Sequence, residues 1–317
     1  MTRRLALAIV LLLATVACSG PRSPLDVGVR EIDTDVLIGP GRPTVVAFPP
    51  LAPAPGPIGF PGFVQPPIIT GPKPPSPPAC PAADPLAPIA HEATTSATKP
   101  PVAGTYPYLV KGFNKIGDAT NLVSETTSRT VANVVKAASG GGFTFDIVIP
   151  QPGGARTTTT YHVYPNQPEA TDTTPGIYIE RVETKVPGAD PLTFNPTPPL
   201  LLMQFPASAN LTWTSRSVDP FSGTVEQFTG TIGNRQIIDA CGTKIQTWRV
   251  DITDGSIQNP FESFTFEGTI YITPQFGGLS VRDNIHRKGT QKKDVTDSGT
   301  TVESQLDARI AHSPRFP

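Results

Sequence analysis

The sequence contains little of what catalysis or metal binding usually requires. It has four histidines and three cysteines among 317 residues. None of these side chains has a second His or Cys at a metal-ligand spacing such as H-x₃₋₅-H. No G-x-S-x-G elbow, P-loop or dinucleotide fingerprint is present. The sequence therefore predicts no catalytic residue, no metal site and no cofactor.

The sequence also lacks an excess of charge of one sign. It carries 25 basic and 26 acidic residues, so the formal net charge is −1. Removal of residues 1–17 takes away Arg3 and Arg4 and no acid, which changes this charge to −3. A nucleic-acid binder needs clustered positive charge. We therefore expect no nucleic-acid partner.

No apolar run is long enough for a permanent membrane span. The longest covers residues 5–17, which would be about 20 Å long as a helix at ~1.5 Å per residue, against about 30 Å for a bilayer core. Two cations, Arg3 and Arg4, precede it, and small Ala17 ends it. This order of segments is typical of a secretory signal peptide. We therefore expect residues 1–17 to be a signal peptide and the protein to be exported.

Cys18 indicates what kind of signal this is. It directly follows Ala17, and Ser19 and Gly20 come next. The segment resembles the bacterial lipobox, although Thr15 stands where that family prefers Leu. The resemblance implies a lipid on the Cys18 thiol, cleavage before it, and anchoring at the bacterial cell membrane or envelope through acyl chains. The alternative is an ordinary secretory signal with an incidental cysteine.

What the sequence has in excess is proline, and its distribution marks a boundary. Of the 39 prolines, 23 lie between Pro21 and Pro107. Proline lacks an N–H and fixes φ, so neither a helix nor a central strand is expected there. Such chains alternate between polyproline II and flexible coil. We therefore predict a long, disordered, Pro-rich tether over residues 18–105 and a folded domain over residues 106–317.

The domain shows the period of β-strands. Phe143, Phe145, Ile147 and Ile149 alternate with polar or smaller residues, which is the period of two expected for a half-buried strand. Residues 120–138 are the best helix candidate, but their Thr and Val content favours a strand. Gly233-Asn234 has the composition of a hairpin turn, and Asp254-Gly255 that of a turn after a strand. An all-β antiparallel domain follows.

Residues 175–290 carry a resemblance to a known class. A strand rich in apolar residues leads to Pro274-Gln275-Phe276-Gly277-Gly278 and a return strand follows. This is similar to bacterial envelope proteins of the lipoprotein-carrier type. The resemblance implies a strongly curved antiparallel sheet or half-barrel around an apolar hollow. It implies no catalytic residue.

Four consecutive large apolar residues, from Leu200 to Met203, interrupt strand alternation. They fit a segment buried on both sides, or a flexible lip over an apolar cavity in which Met203 is an adaptable contact. Aromatic residues of the domain fit a cavity wall as well as a core. The candidate cavity residues are Leu201, Met203, Trp213, Trp248, Phe264 and Phe266.

Two cysteines remain after Cys18. An exported compartment permits disulfides, so a bridge between Cys80 and Cys241 is a candidate that would attach the tether to the domain. The alternative is two separate thiols, with Cys241 buried as a small hydrophobic residue.

Three functions remain open from the sequence. The first is a membrane-anchored envelope lipoprotein whose β domain binds or carries a lipid or another amphiphile. The second is a structural or interaction module, without a small-molecule ligand, that contacts an envelope protein or the cell wall. The third is a hydrolase with paired carboxylates, for which Glu180, Glu183 and Glu226 are candidates. Such pairs arise by chance in any all-β domain, so we rank it last.

Overall fold

The computed structural model describes residues 84–136, 142–151, 154–167, 173–188, 190–292 and 297–315. These residues form strands and a short 3₁₀ turn at Pro274–Phe276, with no α-helix among them. The strands are β1 (Gly104–Ile116), β2 (Ala119–Lys136), β3 (Phe143–Pro150), β4 (Arg156–Tyr164), β5 (Gly176–Lys185), β6 (Leu192–Phe194), β7 (Leu200–Gln204), β8 (Thr212–Val218), β9 (Val225–Ala240), β10 (Thr243–Asn259), β11 (Glu262–Thr273), β12 (Leu279–Gln291) and β13 (Thr300–Ile310).

The strands belong to one antiparallel sheet that curves into a half-barrel, which confirms the predicted fold class. Its order is β6, β5, β4, β3, β2, β1, β13, β12, β11, β10, β9 and β8. β7 pairs with β5 on the side where β6 also pairs, so β6 and β7 act as one interrupted strand. β1 and β13 pair with each other, and this pairing joins strands β1–β7 to strands β8–β13 in one sheet.

The predicted alternation is confirmed in β3. Phe143, Phe145, Ile147 and Ile149 are all buried, while the residues between them are only partly covered. Residues 119–136 form β2, as their Thr and Val content predicts. Side chains at every second position therefore fill the concave side of the sheet, where one apolar core collects residues from nearly every strand.

Two dipeptides predicted as turns are β-bulges instead. Gly233 and Asn234 together oppose Arg249, because Arg235 pairs with Trp248 and Ile232 pairs with Val250. β9 therefore runs through them without a hairpin. A bulge bends the bulged strand and increases its twist, so these residues contribute to the curvature of the sheet.

The Asp254-Gly255 dipeptide shows the same behaviour in β10. The register of β10 shifts here against both of its neighbours, β9 and β11. Asp254 has a φ of 52°, a left-handed conformation that Asp tolerates better than most residues. The chain continues as a strand beyond it, so the predicted turn is wrong at this position too.

The two ends of the strand order lie next to each other along a seam. Residues 195–204 form one side of this seam and β8 forms the other. Thr197 and Val218 form an isolated antiparallel bridge with N···O distances of 2.9 and 3.1 Å. Three of the five residues of the segment 195–199 are proline. Since proline has no N–H to donate, this segment does not continue a regular ladder.

Side chains complete the seam. Trp213 Nε1 donates to the Leu201 carbonyl, and the Leu201 N–H donates to Ser215 Oγ, each at 2.9 Å. The ring of Trp213 lies against Gly230, where a Cβ atom would come within 2.4 Å of it. The seam is thus held by a few specific contacts instead of a continuous row of backbone hydrogen bonds.

Residues 84–103, which the sequence assigns to the tether, contact the domain. The backbone N–H of Ala90 donates to Lys244 O, and that of Gln246 donates to His91 O, at 3.0 and 2.8 Å. Trp248 Nε1 donates to Thr94 O at 2.8 Å. These contacts extend the sheet with a short parallel addition, and the boundary at residue 106 stays a prediction.

Several predicted features lie outside the described residues. These are the signal peptide, Cys18, Cys80 and most of the proposed tether. Cys241 is disulfide-bonded, and its pairing with Cys80 stays a prediction. Within the described ranges, no helix has the length and apolar character needed to cross a membrane.

We predict that Gly112→Ala destabilises the domain by about 2 kcal/mol or more, because overpacking typically costs 1–3 kcal/mol. β1 passes close to β13 here, and a Cβ atom would stand 1.8 Å from Gln305 O. Urea unfolding measures the loss. Gly117→Ala is the matched control: it also has positive φ, at 58°, but meets open space, so strain of about 1 kcal/mol is expected. Equal losses would contradict the steric explanation.

Candidate functional site

A small cavity lies on the concave side of the sheet. Its volume is about 20 Å³, which is room for about one water molecule. Its walls come from β1 to β4, from β7, and from the β11–β12 region, which are far apart in the order of the sheet. The lining residues are Tyr108, Arg129, Phe145, Ile147, Tyr161, Leu202, Ile272, Gly278, Leu279 and Ser280.

A buried ion pair stands at this cavity. Arg129 Nη1 lies 2.6 Å from Asp283 Oδ2, and the two side chains are 3% and 0% exposed. Arg129 comes from β2 and Asp283 from β12, so the pair connects strands that are not neighbours. Removing one partner from such a pair leaves an uncompensated buried charge, which typically costs 3–5 kcal/mol.

Hydrogen bonds extend the ion pair into a network. Ser280 Oγ donates to Asp283 Oδ1, and Tyr108 Oη donates to Ser280 O at 2.5 Å. The Arg129 guanidinium also lies over the Tyr108 ring, 4.0 Å from its centroid, which is a favourable cation–π distance. The Nε and Nη2 atoms of Arg129, in contrast, have no hydrogen-bond partner among the described residues.

Burial and ion pairing shift the pKa values of the groups in this network. Burial raises the pKa of the Tyr108 and Tyr161 phenols, so both stay neutral. Burial also raises the pKa of Asp283, and Arg129 and Ser280 counteract it. Burial alone would lower the pKa of Arg129, but Asp283 outweighs it and the net direction is upward. The 2.6 Å distance between Arg129 Nη1 and Asp283 Oδ2 is that of an ion pair, and on this geometry we assign Arg129 as charged and Asp283 as its carboxylate partner.

The six predicted cavity residues lie elsewhere, in three groups. Leu201, Met203 and Trp213 lie at the seam, and Met203 is fully buried against β5. Trp248 lies against residues 84–103. Phe264 and Phe266 are buried in β11. None of the six lines the described cavity, whereas Leu202, the neighbour of two of them, does.

A second buried polar group lies near Phe264. Glu226 is 1% exposed, and neither carboxyl oxygen has a hydrogen-bond partner among the described residues. Burial raises the pKa of Glu226 to about 8, and Arg287 counteracts it. Burial also lowers the pKa of Arg287 to about 10, with Glu262 and Glu226 opposing. Arg287 lies 3.5 Å above the Phe264 ring centroid.

The three candidate carboxylates of a hydrolase are not brought together. Glu180 lies 2.6 Å from His162 Nδ1, and Glu183 contacts Arg181. Both are on β5, whereas Glu226 is on β9 and makes no hydrogen bond to either. Among the described residues, no group of three or more His, Cys, Asp or Glu side chains is arranged to hold a metal ion.

We predict that Glu226 makes the stability of the domain depend on pH. Its folded pKa of about 8 is above its ordinary value of 4.5, so the folded protein binds more protons between these values. The free energy of unfolding should therefore fall as pH rises through that window, by a few kcal/mol. Glu226→Gln should remove most of this slope. Urea unfolding at pH 5, 6, 7 and 8 measures it.

The matched control for this experiment is Glu267→Gln. The side chain of Glu267 is 72% exposed, and exposed pairs contribute little to stability. This variant should keep the slope of the unchanged protein. Identical slopes for Glu226→Gln and the unchanged protein would show that Glu226 is not protonated on folding.

Comparisons of the chain with protein-family models, with curated proteins and with solved structures found no match. No residue of the site therefore takes a role from a relative. The roles of Arg129, Asp283 and the cavity follow from their own geometry and chemistry.

Proposed function

We propose that this protein is an exported lipoprotein of a bacterial envelope whose β domain binds a lipid or another amphiphile. Its anchor is the lipid on Cys18, and its membrane partner is the bilayer that holds this lipid. The order of a cationic start, a short apolar run and Ala17-Cys18 supports export and anchoring.

One observation carries the binding proposal: an apolar interior that contains a charged group beside a cavity. Phe145, Ile147 and Leu202 line the same space as Arg129. Charged side chains are almost never fully buried unless they are paired, and beyond Asp283 the Nε and Nη2 atoms of Arg129 have no hydrogen-bond partner in the described part of the chain. An interior of this kind complements a molecule with an apolar chain and a polar end.

The seam supplies a route to this interior. Leu202 of β7 lines the cavity, and β7 is five residues long. Along β8 it is held by the Trp213 and Ser215 side chains and by the nearby bridge at Thr197. The cavity has room for about one water, so an acyl chain enters only when β7 moves. Burial of the chain then contributes about 25 cal/mol per Å².

The interaction-module alternative is favoured by a different observation. Phe221 is 95% exposed at the tip of the β8–β9 turn. The turn is ordered by hydrogen bonds from Phe221 N and Ser222 Oγ to Asp219, at 3.1 and 2.6 Å. A fixed, exposed aromatic ring fits a pocket on an envelope partner.

We predict that Cys18 carries the lipid. Cells that export the full chain should incorporate radiolabelled palmitate into it and place it in the membrane fraction. Cys18→Ser should abolish both, because the thiol is the acceptor. Cys241→Ser is the control and should keep the label. Label that persists in Cys18→Ser would contradict lipid attachment at this residue.

We predict that locking the seam blocks amphiphile binding. Thr197 and Val218 face each other across an antiparallel bridge, at a separation suitable for a disulfide. The oxidised Thr197→Cys/Val218→Cys variant should bind decanoate and decanol at least tenfold more weakly than its reduced form. Calorimetric titration of the Cys18→Ser full chain, with and without the additional pair, measures this.

The control disulfide is Thr214→Cys/Thr229→Cys. These residues pair between β8 and β9, so this bridge does not cross the seam. Amphiphile binding by this variant should be the same before and after oxidation. The same comparison reports any effect of the reductant on the disulfide of Cys241. Unchanged binding in the oxidised seam variant would contradict entry at β7. Failure of every form to bind either probe would favour the interaction module.

A further inference from the structure

The guanidinium of Arg129 is only partly used by the contacts around it. Its Nη1 end bonds to Asp283 Oδ2. The side formed by Nε and Nη2 has no acceptor among the described residues. The N–H groups of these two atoms are adjacent and point in parallel.

An unsatisfied donor edge in this position is costly. Arg129 is 3% exposed, so bulk water does not satisfy these N–H groups. Leaving a buried polar group unpaired typically costs 1–3 kcal/mol, and more for a charged group. A stable protein therefore benefits from an acceptor at this edge. Arg129 lines the adjoining cavity, and an acceptor reaches its buried Nε–Nη2 edge when β7 moves to admit a ligand.

The geometry of the edge selects the acceptor. Two parallel N–H donors match two oxygens on one atom, as in a carboxylate or a phosphate, and form a bidentate pair. Net charge adds little attraction, because Asp283 already balances Arg129. Selection thus depends on the direction of the donors. The apolar residues Ile147, Leu202 and Ile272 around the same cavity suit the first methylenes of a chain.

We propose that the Nε–Nη2 edge of Arg129 binds the two-oxygen anionic head group of the amphiphile, a carboxylate or a phosphate ester. This assignment rests on the proposed function, and it adds the chemical class of the ligand. Arg129 is the specificity-determining residue, and Asp283 positions it by holding Nη1.

The first experiment compares probes on the unchanged binding domain. Decanoate, decyl phosphate, decanol and decyltrimethylammonium share a ten-carbon chain and differ in the head group. Each is titrated below its micelle concentration into the Cys18→Ser full chain. Decanoate or decyl phosphate should bind at least tenfold more tightly than decanol and decyltrimethylammonium. The tighter of the two identifies the source of the anion.

The second experiment replaces the planar guanidinium of Arg129 and keeps its positive charge. Arg129→Lys retains a cation beside Asp283 but presents point donors in place of a planar edge. It should weaken binding of the anionic probe at least tenfold and leave decanol unchanged. Arg282→Lys is the matched control, since Arg282 makes a bidentate pair with Asp307 at 2.9 and 2.7 Å and is 33% exposed. It should bind all probes as the unchanged protein does.

The outcomes separate this assignment from the proposed function. Equal binding of all four probes would overturn the head-group assignment while amphiphile binding stands, and would mean that water satisfies the Arg129 edge. Binding of none would overturn the proposed function itself. Inorganic phosphate that binds as tightly as decyl phosphate would overturn the link to an apolar chain. The probe series decides even if Arg129→Lys does not fold, because it needs no substitution at Arg129.

Discussion

The fold depends on one constraint. The strands at the two ends of this strongly curved sheet need partners for their backbone N–H and C=O groups. Unpaired strand edges attract other chains, and β8 reduces this exposure by meeting the interrupted strand β6–β7. Prolines in the segment 195–199 prevent a full ladder there. The ladder is therefore interrupted along a short seam, and this interruption lies beside the only charged group that lines the described cavity.

Much of the fold follows from the sequence, because alternation is a local property. The spacing of Phe143, Phe145, Ile147 and Ile149 specifies a half-buried strand, and the structure has one. The curvature of the sheet is harder to predict from the sequence. Gly233-Asn234 and Asp254-Gly255 have the composition of turns but form bulges, and only Asp254 among these four residues has a positive φ. Whether the chain reverses or only bends is decided by the neighbouring strands.

The site was much less predictable than the fold. The aromatic residues predicted as cavity walls are buried, and the two tryptophans each donate to a backbone carbonyl, Trp213 to that of Leu201 and Trp248 to that of Thr94. The site residues Arg129 and Asp283 are 154 positions apart and each looks like an ordinary charged residue on a strand. Only the pairing of β2 with its neighbours and the curvature of the sheet bring them together. The run at residues 200–203 did indicate the right strand, but it did not single out Leu202.

The attachment of residues 84–103 to β10 has a mechanical consequence. Lys244 Nζ donates to Pro85 O and Ala87 O, and residues 90 and 91 bond to the same strand, so these contacts pass a force from the N-terminal side to the start of β10, where the disulfide-bonded Cys241 also lies. A pull that arrives this way is carried by β10 and by its ladders with β9 and β11. Tension from the amino end therefore enters the sheet at β10, which β11, β12 and β13 separate from β1.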